Sequence, residues 1–199
     1  MMRLQCTPLL LTYILLLCGC GLVKEPMPEV ALTAVPVCYN YGCLDVEYVS
    51  ISQQRWASVK ALFSAPASAF AERLAIRQAI ALLEREVALY TPVYNDQPKN
   101  NAQPNVHGRQ DCIDEAHNTL HFLLLLQQAK LLSFHRVDGR VVRFVTLIDQ
   151  HYAVRISSLA DNKRYVVDSW HRGNGEPAYI QLYSRWLLKQ PFSKKNNPR

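Results

Sequence analysis

The stretch from Asp111 to about Leu132 constrains the fold more than any other part of the chain. Leu120 and the run Phe122 to Leu126 are apolar on nearly every side of a helix. A helix without a polar face has to be surrounded by protein, so this one is expected to be central and buried. Asp111 stands where a capping carboxylate accepts hydrogen bonds from the free amides of a first helical turn, and Asp114 and Glu115 suit the positive end of the helix dipole. Cys112 then opens the helix.

The flanking segments fix the fold class. Ser52 to Phe63 reads as a short helix with Trp56, Val59 and Phe63 on one side, ended by Pro66 and its small neighbours. A longer helix is expected from about Ser68 to Leu89, where Ile76, Ile80, Leu83 and Val87 recur at helical spacing. Thr91 to Gln110 is polar and carries Pro92, Pro98, Pro104 and Gly108, which predicts a long loop of the kind that often has a functional role. Beyond Asp138-Gly139 the pattern becomes β-branched and aromatic over Val141 to Ile148, His151 to Ile156 and Tyr165 to Val167, with turn chemistry at Asp161-Asn162. Helices followed by antiparallel strands define an α+β domain, and no internal repeat is visible.

The amino terminus has a separate purpose. Arg3 precedes an apolar stretch, Leu9 to Leu17, that is broken only by Thr12 and is short for a bilayer span. Leu17-Cys18-Gly19-Cys20 then resembles the lipobox of bacterial lipoproteins. The resemblance implies a signal peptide over residues 1–19 and lipidation of Cys20, whose sulfur accepts the diacylglyceryl (palmitate-type) lipid. Gly21, in place of an aspartate, implies residence at the outer membrane, facing the periplasm. Residues 20–36, with Pro26, Pro28 and Pro36, are expected to form a lipidated tether, residues 37–192 the folded domain, and residues 193–199 a basic flexible tail. Lys194, Lys195 and Arg199 concentrate part of the +6 formal charge there without interleaved aromatics, which argues against nucleic acid as a partner and for a solvated tail near anionic lipid or cell wall.

Export gives the cysteines meaning. Cys6 and Cys18 fall within the signal peptide and Cys20 takes lipid, leaving Cys38, Cys43 and Cys112. Outside the cytoplasm thiols tend to pair, and Asn40 and Gly42 supply a turn between Cys38 and Cys43, so a small disulfide loop is expected there. Cys112 is then the odd cysteine, a candidate reactive thiol. At a helix start the free amides and the dipole favour thiolate, so a depressed pKa dependent on a base is expected. His151 and Asp168, on two successive predicted strands, could supply that base and its orienting partner. A four-residue hairpin loop, Ser158 to Asp161, would make them direct cross-strand neighbours; a tight turn at Asp161-Asn162 would pair Asp168 with Arg155 instead.

Asp111-Cys112-Ile113-Asp114 opening an apolar helix, His151-Tyr152-Ala153-Val154 on a strand, and Tyr165-Val166-Val167-Asp168-Ser169-Trp170 together resemble the core of the transglutaminase-like family, within the wider papain-like cysteine enzymes. The resemblance spans Gly108 to Trp170, about a third of the chain. It implies a central Cys-bearing helix packed on an antiparallel sheet, with Cys112 as nucleophile, His151 as base and later acid, and Asp168 as orienter. The implied chemistry is acyl transfer at an amide bond through a thioester, with hydrolysis favoured over crosslinking. The backbone amide of Cys112 and the side chain of Gln110 are the candidate oxyanion donors. Export makes a periplasmic protein or a cell-wall peptide the expected substrate. No cofactor or metal is called for.

Other readings use the same residues. Asp114, His117 and His121 share a helical face at a spacing that could hold a metal, with His107 nearby in sequence, but no second ligand cluster accompanies them. Trp170 and His171, before Gly173-Asn174-Gly175, could line a cleft or simply pack. Tyr39, Tyr41 and Tyr48 fit core or edge aromatics better than a carbohydrate platform. Finally, the fold could serve a catalytically inactive lipoprotein acting as an envelope binding or assembly module, since fold does not guarantee activity.

Overall fold

In the computed structural model, residues 27–100, 106–144, 150–193 and 197 are described. The signal segment and Cys20 lie outside these residues, as does most of the basic tail. The order of elements is β1 (Val35–Tyr39), β2 (Asp45–Val49), α1 (Gln53–Ala61), α2 (Ala69–Val87), a 3-10 turn (Pro92–Asn95), α3 (Cys112–Gln128), β3 (His135–Phe144), β4 (Gln150–Ser158), β5 (Arg164–Asp168), β6 (Tyr179–Leu182) and α4 (Tyr183–Leu187). The strands form a two-stranded antiparallel hairpin, β1-β2, and a four-stranded antiparallel sheet ordered β3-β4-β5-β6. The α+β class expected from the sequence is what forms. Among the described residues, no helix is long and apolar enough to cross a membrane.

The apolar spacing of α2 closes over the core: Ile76, Ile80, Leu83 and Val87 are all buried. They share one cluster with Leu120, Phe122 to Leu126, Val137, Val154, Ile156 and Val167, so α2, α3 and one face of the sheet enclose a single core. Alternation along the strands sends Ala153 and Val166 to the opposite face, where Trp186 of α4 covers them. Helix α3 is nearly enclosed, as its apolar circumference requires: its positions from Asn118 through Leu126 are all buried.

The fold departs from the sequence reading at several points. Helix α3 ends at Gln128 rather than near Leu132, and the first sheet strand starts at His135 rather than Val141 (145–148 lie outside the described residues). Strand β6 and helix α4 have no counterpart in that reading, and three further features differ. The hairpin β1-β2 was not legible, because Pro36 and the polar turn between Cys38 and Cys43 mask its alternation. Folding also begins inside the segment read as a tether, since Val30 and Val35 are buried in the core. At the other end, Asn197 lies in the segment read as a free tail. Its side chain accepts from the Ile180 amide at 2.7 Å and donates to the Ile180 carbonyl at 3.1 Å, closing part of the β6 edge.

Helix α2 is tied to the start of the sheet by one fully buried carboxylate. Glu72 accepts from the amides of Ser133 at 2.6 Å and Phe134 at 2.9 Å, and meets Nδ1 of His135 at 2.9 Å. An alanine there leaves buried donors without an acceptor, a change that costs about 3–5 kcal/mol when one partner of a buried ionic contact is removed. Glu72→Ala is therefore expected to lower unfolding free energy by about that amount in urea titrations. A loss under about 1 kcal/mol would show that water replaces the carboxylate at no cost.

Candidate active site

The residues singled out at the start of α3 are organised by its N-terminus. The Asp111 side chain accepts from the amides of Ile113 at 2.9 Å and Asp114 at 3.0 Å, while the Asp111 amide donates back to the Asp114 carboxylate at 3.0 Å. This reciprocal capping box sets Cys112 as the first helical residue. The Cys112 sulfur lies 3.8 Å from the carbonyl oxygen of Gln150 and also receives the backbone N–H of Tyr152. The thiol thus straddles His151, meeting the peptide groups on either side of it rather than the imidazole.

His151 and Asp168 do come together. Nε2 of His151 and Oδ2 of Asp168 are 2.8 Å apart, with both side chains almost completely buried. Neither turn proposed for the intervening hairpin is the one that forms. Ser157 pairs with Arg164 and Val154 with Val167, a register that continued one step sets Asp168 opposite Ala153. Asp168 is therefore the diagonal neighbour of His151 on the same face of the sheet, still within reach because side chains two apart on a strand share a face. With Nε2 engaged, Nδ1 is the ring nitrogen left to exchange a proton with a nucleophile.

Tertiary neighbours without a local sequence signal complete the surroundings. Trp186 of α4 donates its indole N–H to Asp168 Oδ2 at 2.9 Å, and its ring centroid lies 5.7 Å from that of His151. Arg143, paired with His151 across β3 and β4, stacks its guanidinium over the Trp186 ring at 4.6 Å. Trp170 does line the site, its ring centroid 4.8 Å from His151. His171 also approaches, with Nε2 3.7 Å from Asp168 Oδ2. The long loop joins them: Lys99 donates its amide to the Trp170 carbonyl at 2.8 Å, and the Trp170 indole donates to the Asn100 carbonyl at 3.3 Å.

Gln110 sits just before the cap, buried, and its side-chain amide donates to the Cys38 carbonyl at 2.9 Å. That bond ties it to the hairpin. The expected Cys38–Cys43 disulfide is present. The helical face considered for a metal is used otherwise: Asp114 accepts from the hairpin turn, and His121 Nδ1 faces the Pro36 carbonyl at 2.9 Å. His117 meets Arg140 at 2.6 Å. Among the described residues, two groups could offer three ligand atoms within 4.8 Å of one another: Cys38, Cys43 and His117, whose two sulfurs are joined in the disulfide, and His151, Asp168 and His171, of which two atoms already bond to each other.

Charge in the site follows burial. Although desolvation works against the Asp168 carboxylate, the hydrogen bonds from His151 and Trp186 and the nearby imidazoles hold its pKa below the usual range. The thiol goes the other way from the expectation. Burial, joined by the charges of Asp111 and Asp168, pushes Cys112 up to about 11 and outweighs the N–H groups of Tyr152 and of the helix start. A helix dipole effect is confined to the first turn and modest, whereas losing solvent around a thiolate is a larger cost. The resting residue is a thiol.

Behind the site lies a set of buried acids. Glu115 accepts from the Ser169 hydroxyl at 2.5 Å, and burial together with the carboxylates of Glu84, Asp96 and Asp168 raises its pKa well above the usual range. Burial likewise raises Glu84 to about 8 and Asp96 to about 6, each partly offset by a backbone N–H donor. Glu115 was legible only as a dipole partner, because its burial depends on β5 and α2. No protein-family model, curated protein or solved structure matches the chain.

Two expectations follow. Iodoacetamide should alkylate Cys112 of the resting chain slowly at pH 7 and about tenfold faster per pH unit above it, as a thiol with a raised pKa requires. A rate plateau already reached by pH 7, read by peptide mass spectrometry, would contradict the protonated resting state. Glu84 binds its proton more tightly folded than unfolded, so its contribution to stability falls as pH rises from the ordinary 4.5 to about 8. In Glu84→Gln the melting temperature should therefore decline less steeply over that window than in the parent. Parallel slopes would show that Glu84 is charged in the folded state.

Proposed function

We propose that the chain is an envelope cysteine hydrolase or acyltransferase acting on amide bonds, with hydrolysis favoured and a papain-like or transglutaminase-like core. The observation that carries this reading is the convergence of Cys112, at a capped helix start, on the β4 segment whose His151 is hydrogen-bonded to a buried Asp168. In the proposed reaction the Cys112 thiol attacks the amide carbonyl as His151 Nδ1 takes its proton. His151 then gives that proton to the departing amine, leaving a thioester on Cys112. Water, or a second amine in the transferase variant, attacks the thioester and regenerates the thiol. Because Cys112 rests protonated, this is general-base catalysis rather than attack by a standing thiolate. Asp168 holds the imidazole and stabilises its charged form; the backbone amide of Cys112 is the proposed oxyanion donor. A periplasmic protein or wall peptide is the substrate in keeping with a Cys20-anchored, outer-membrane lipoprotein.

One observation favours the alternative of an inactive binding or assembly module: the thiol is directed to the Gln150 carbonyl and its pKa is raised. A peptide-based electrophile that mimics the scissile carbonyl separates the two readings, because its reaction needs the base as well as the sulfur. Labelling of Cys112 at pH 7 should fall by about 100-fold or more in His151→Ala and clearly in Asp168→Asn. The iodoacetamide profile should stay unchanged in His151→Ala, because the imidazole is not among the groups that raise the thiol pKa. Equal peptide-probe labelling in parent and His151→Ala would remove the enzyme reading and leave the module.

A further inference from the structure

The disulfide loop grips the nucleophile's helix at several points. Asn40, Tyr41, Gly42 and Cys43 have φ of 64°, 65°, 66° and 60°, so four successive residues take the left-handed conformation, of which only glycine adopts it freely. This turn points three successive amides at the cap of α3. Tyr41 donates to Asp114 Oδ2 at 2.9 Å, Gly42 to Asp111 Oδ2 at 3.1 Å and Cys43 to Asp114 Oδ1 at 2.5 Å. The other end of the loop is held too. The Cys38 carbonyl accepts from Gln110 at 2.9 Å and from Asn118 at 2.8 Å, and the Cys38 amide donates to Asn118 at 2.7 Å. The residues so engaged, Gln110, Asp111, Asp114 and Asn118, bracket Cys112 on both sides.

The bond is also asymmetric towards solvent. Cys38 is buried at 2 % exposure, while Cys43 is only half-buried beside exposed Gly42. An external thiolate can therefore approach the Cys43 sulfur and displace Cys38 as the leaving thiolate.

We propose that the Cys38–Cys43 disulfide is a redox switch for Cys112: oxidised, it holds the α3 cap and the thiol in register with β4, and reduced, it releases them. This rests on the reading of Cys112 as the nucleophile. The reductant is a dithiol. One of its thiolates attacks Cys43 Sγ, breaking the disulfide and forming a mixed disulfide, and Cys38 departs and takes a proton. The second thiol of the reductant then displaces Cys43, which is protonated in turn. Two electrons pass from the dithiol, now a disulfide, to the two cysteines. Without the covalent closure, Asn40, Tyr41 and Cys43 can leave the left-handed region, and the three amides leave the Asp111 and Asp114 carboxylates with them. The first turn of α3 then loses the partners that fix its position.

The test uses the full-length chain in detergent solution, reduced with a water-soluble phosphine and then reoxidised. Labelling of Cys112 by the peptide electrophile is quantified by peptide mass spectrometry, beside backbone hydrogen exchange. Reduction should slow Cys112 labelling at least tenfold, reversibly, and speed exchange over residues 38–45 and 111–116 while β3 to β6 stay protected. A Cys38→Ser/Cys43→Ser variant should match the reduced chain. Labelling and exchange that are unchanged on reduction would overturn the switch, and so would protection lost across the whole sheet, since the disulfide would then be only a brace. The exchange readout separates the two proposals. If labelling is independent of His151 yet exchange still responds locally to reduction, the nucleophile reading has failed while the coupling of disulfide to helix stands.

Discussion

The arrangement of the molecule depends on how the N-terminal half of α3 is held from outside. One face of that helix presents Asp114, Asn118 and His121, three polar groups on an otherwise enclosed helix, and each is answered by the backbone of β1 or its turn. Buried polar side chains without partners are costly, so these residues make the hairpin an obligatory cover rather than an optional addition. The same contacts fix the axial position of α3 against the hairpin. Because Cys112 is the first residue of that helix, its position is a consequence of them.

The second half of the candidate site is built on the sheet face turned away from the main core. His151, Asp168 and Trp186 form a buried polar patch there, next to the small apolar cluster of Ala153 and Val166. Asp168 keeps its charge in this setting because an imidazole and an indole both address one of its oxygens. The sulfur meets β4 at the peptide groups of Gln150 and Tyr152, so the two halves join along a single stretch of strand. On the proposed hydrolase reading, such a junction holds a resting thiol in place and leaves its activation to a base that acts during attack.

The buried acids behind the site serve as internal acceptors for loops. Glu84, Asp96 and Glu115 each accept from a loop segment: the Gly175 amide donates to Glu84, the Gln110 amide to Asp96 and the Ser169 hydroxyl to Glu115. Their raised pKa values are the cost of using carboxylates as internal acceptors for loops. Loops that lack ladder partners need such acceptors, because their amides would otherwise be buried unpaired.

By itself, the sequence determined the elements whose signals are local. The apolar circumference of α3, its Asp111 cap, the spacing of Ile76, Ile80, Leu83 and Val87 in α2, and the β-branched strands β4 and β5 were legible because helix and strand periods imprint themselves on neighbouring residues. Pairing of Cys38 with Cys43 was legible from their proximity in the chain. Tertiary structure alone decided the rest. Strand β1 draws its burial from α3, more than seventy positions away, so nothing in its own pattern announced the hairpin. The diagonal register of His151 and Asp168 was set by where the four-residue loop falls, Leu159 to Asn162 instead of Ser158 to Asp161, a shift of one position. Trp186 reached Asp168 through the placement of α4. The state of Cys112 was decided last of all, since a helix start favours thiolate but enclosure by β4 and two carboxylates favours the thiol, and only the fold fixes how much solvent the sulfur keeps.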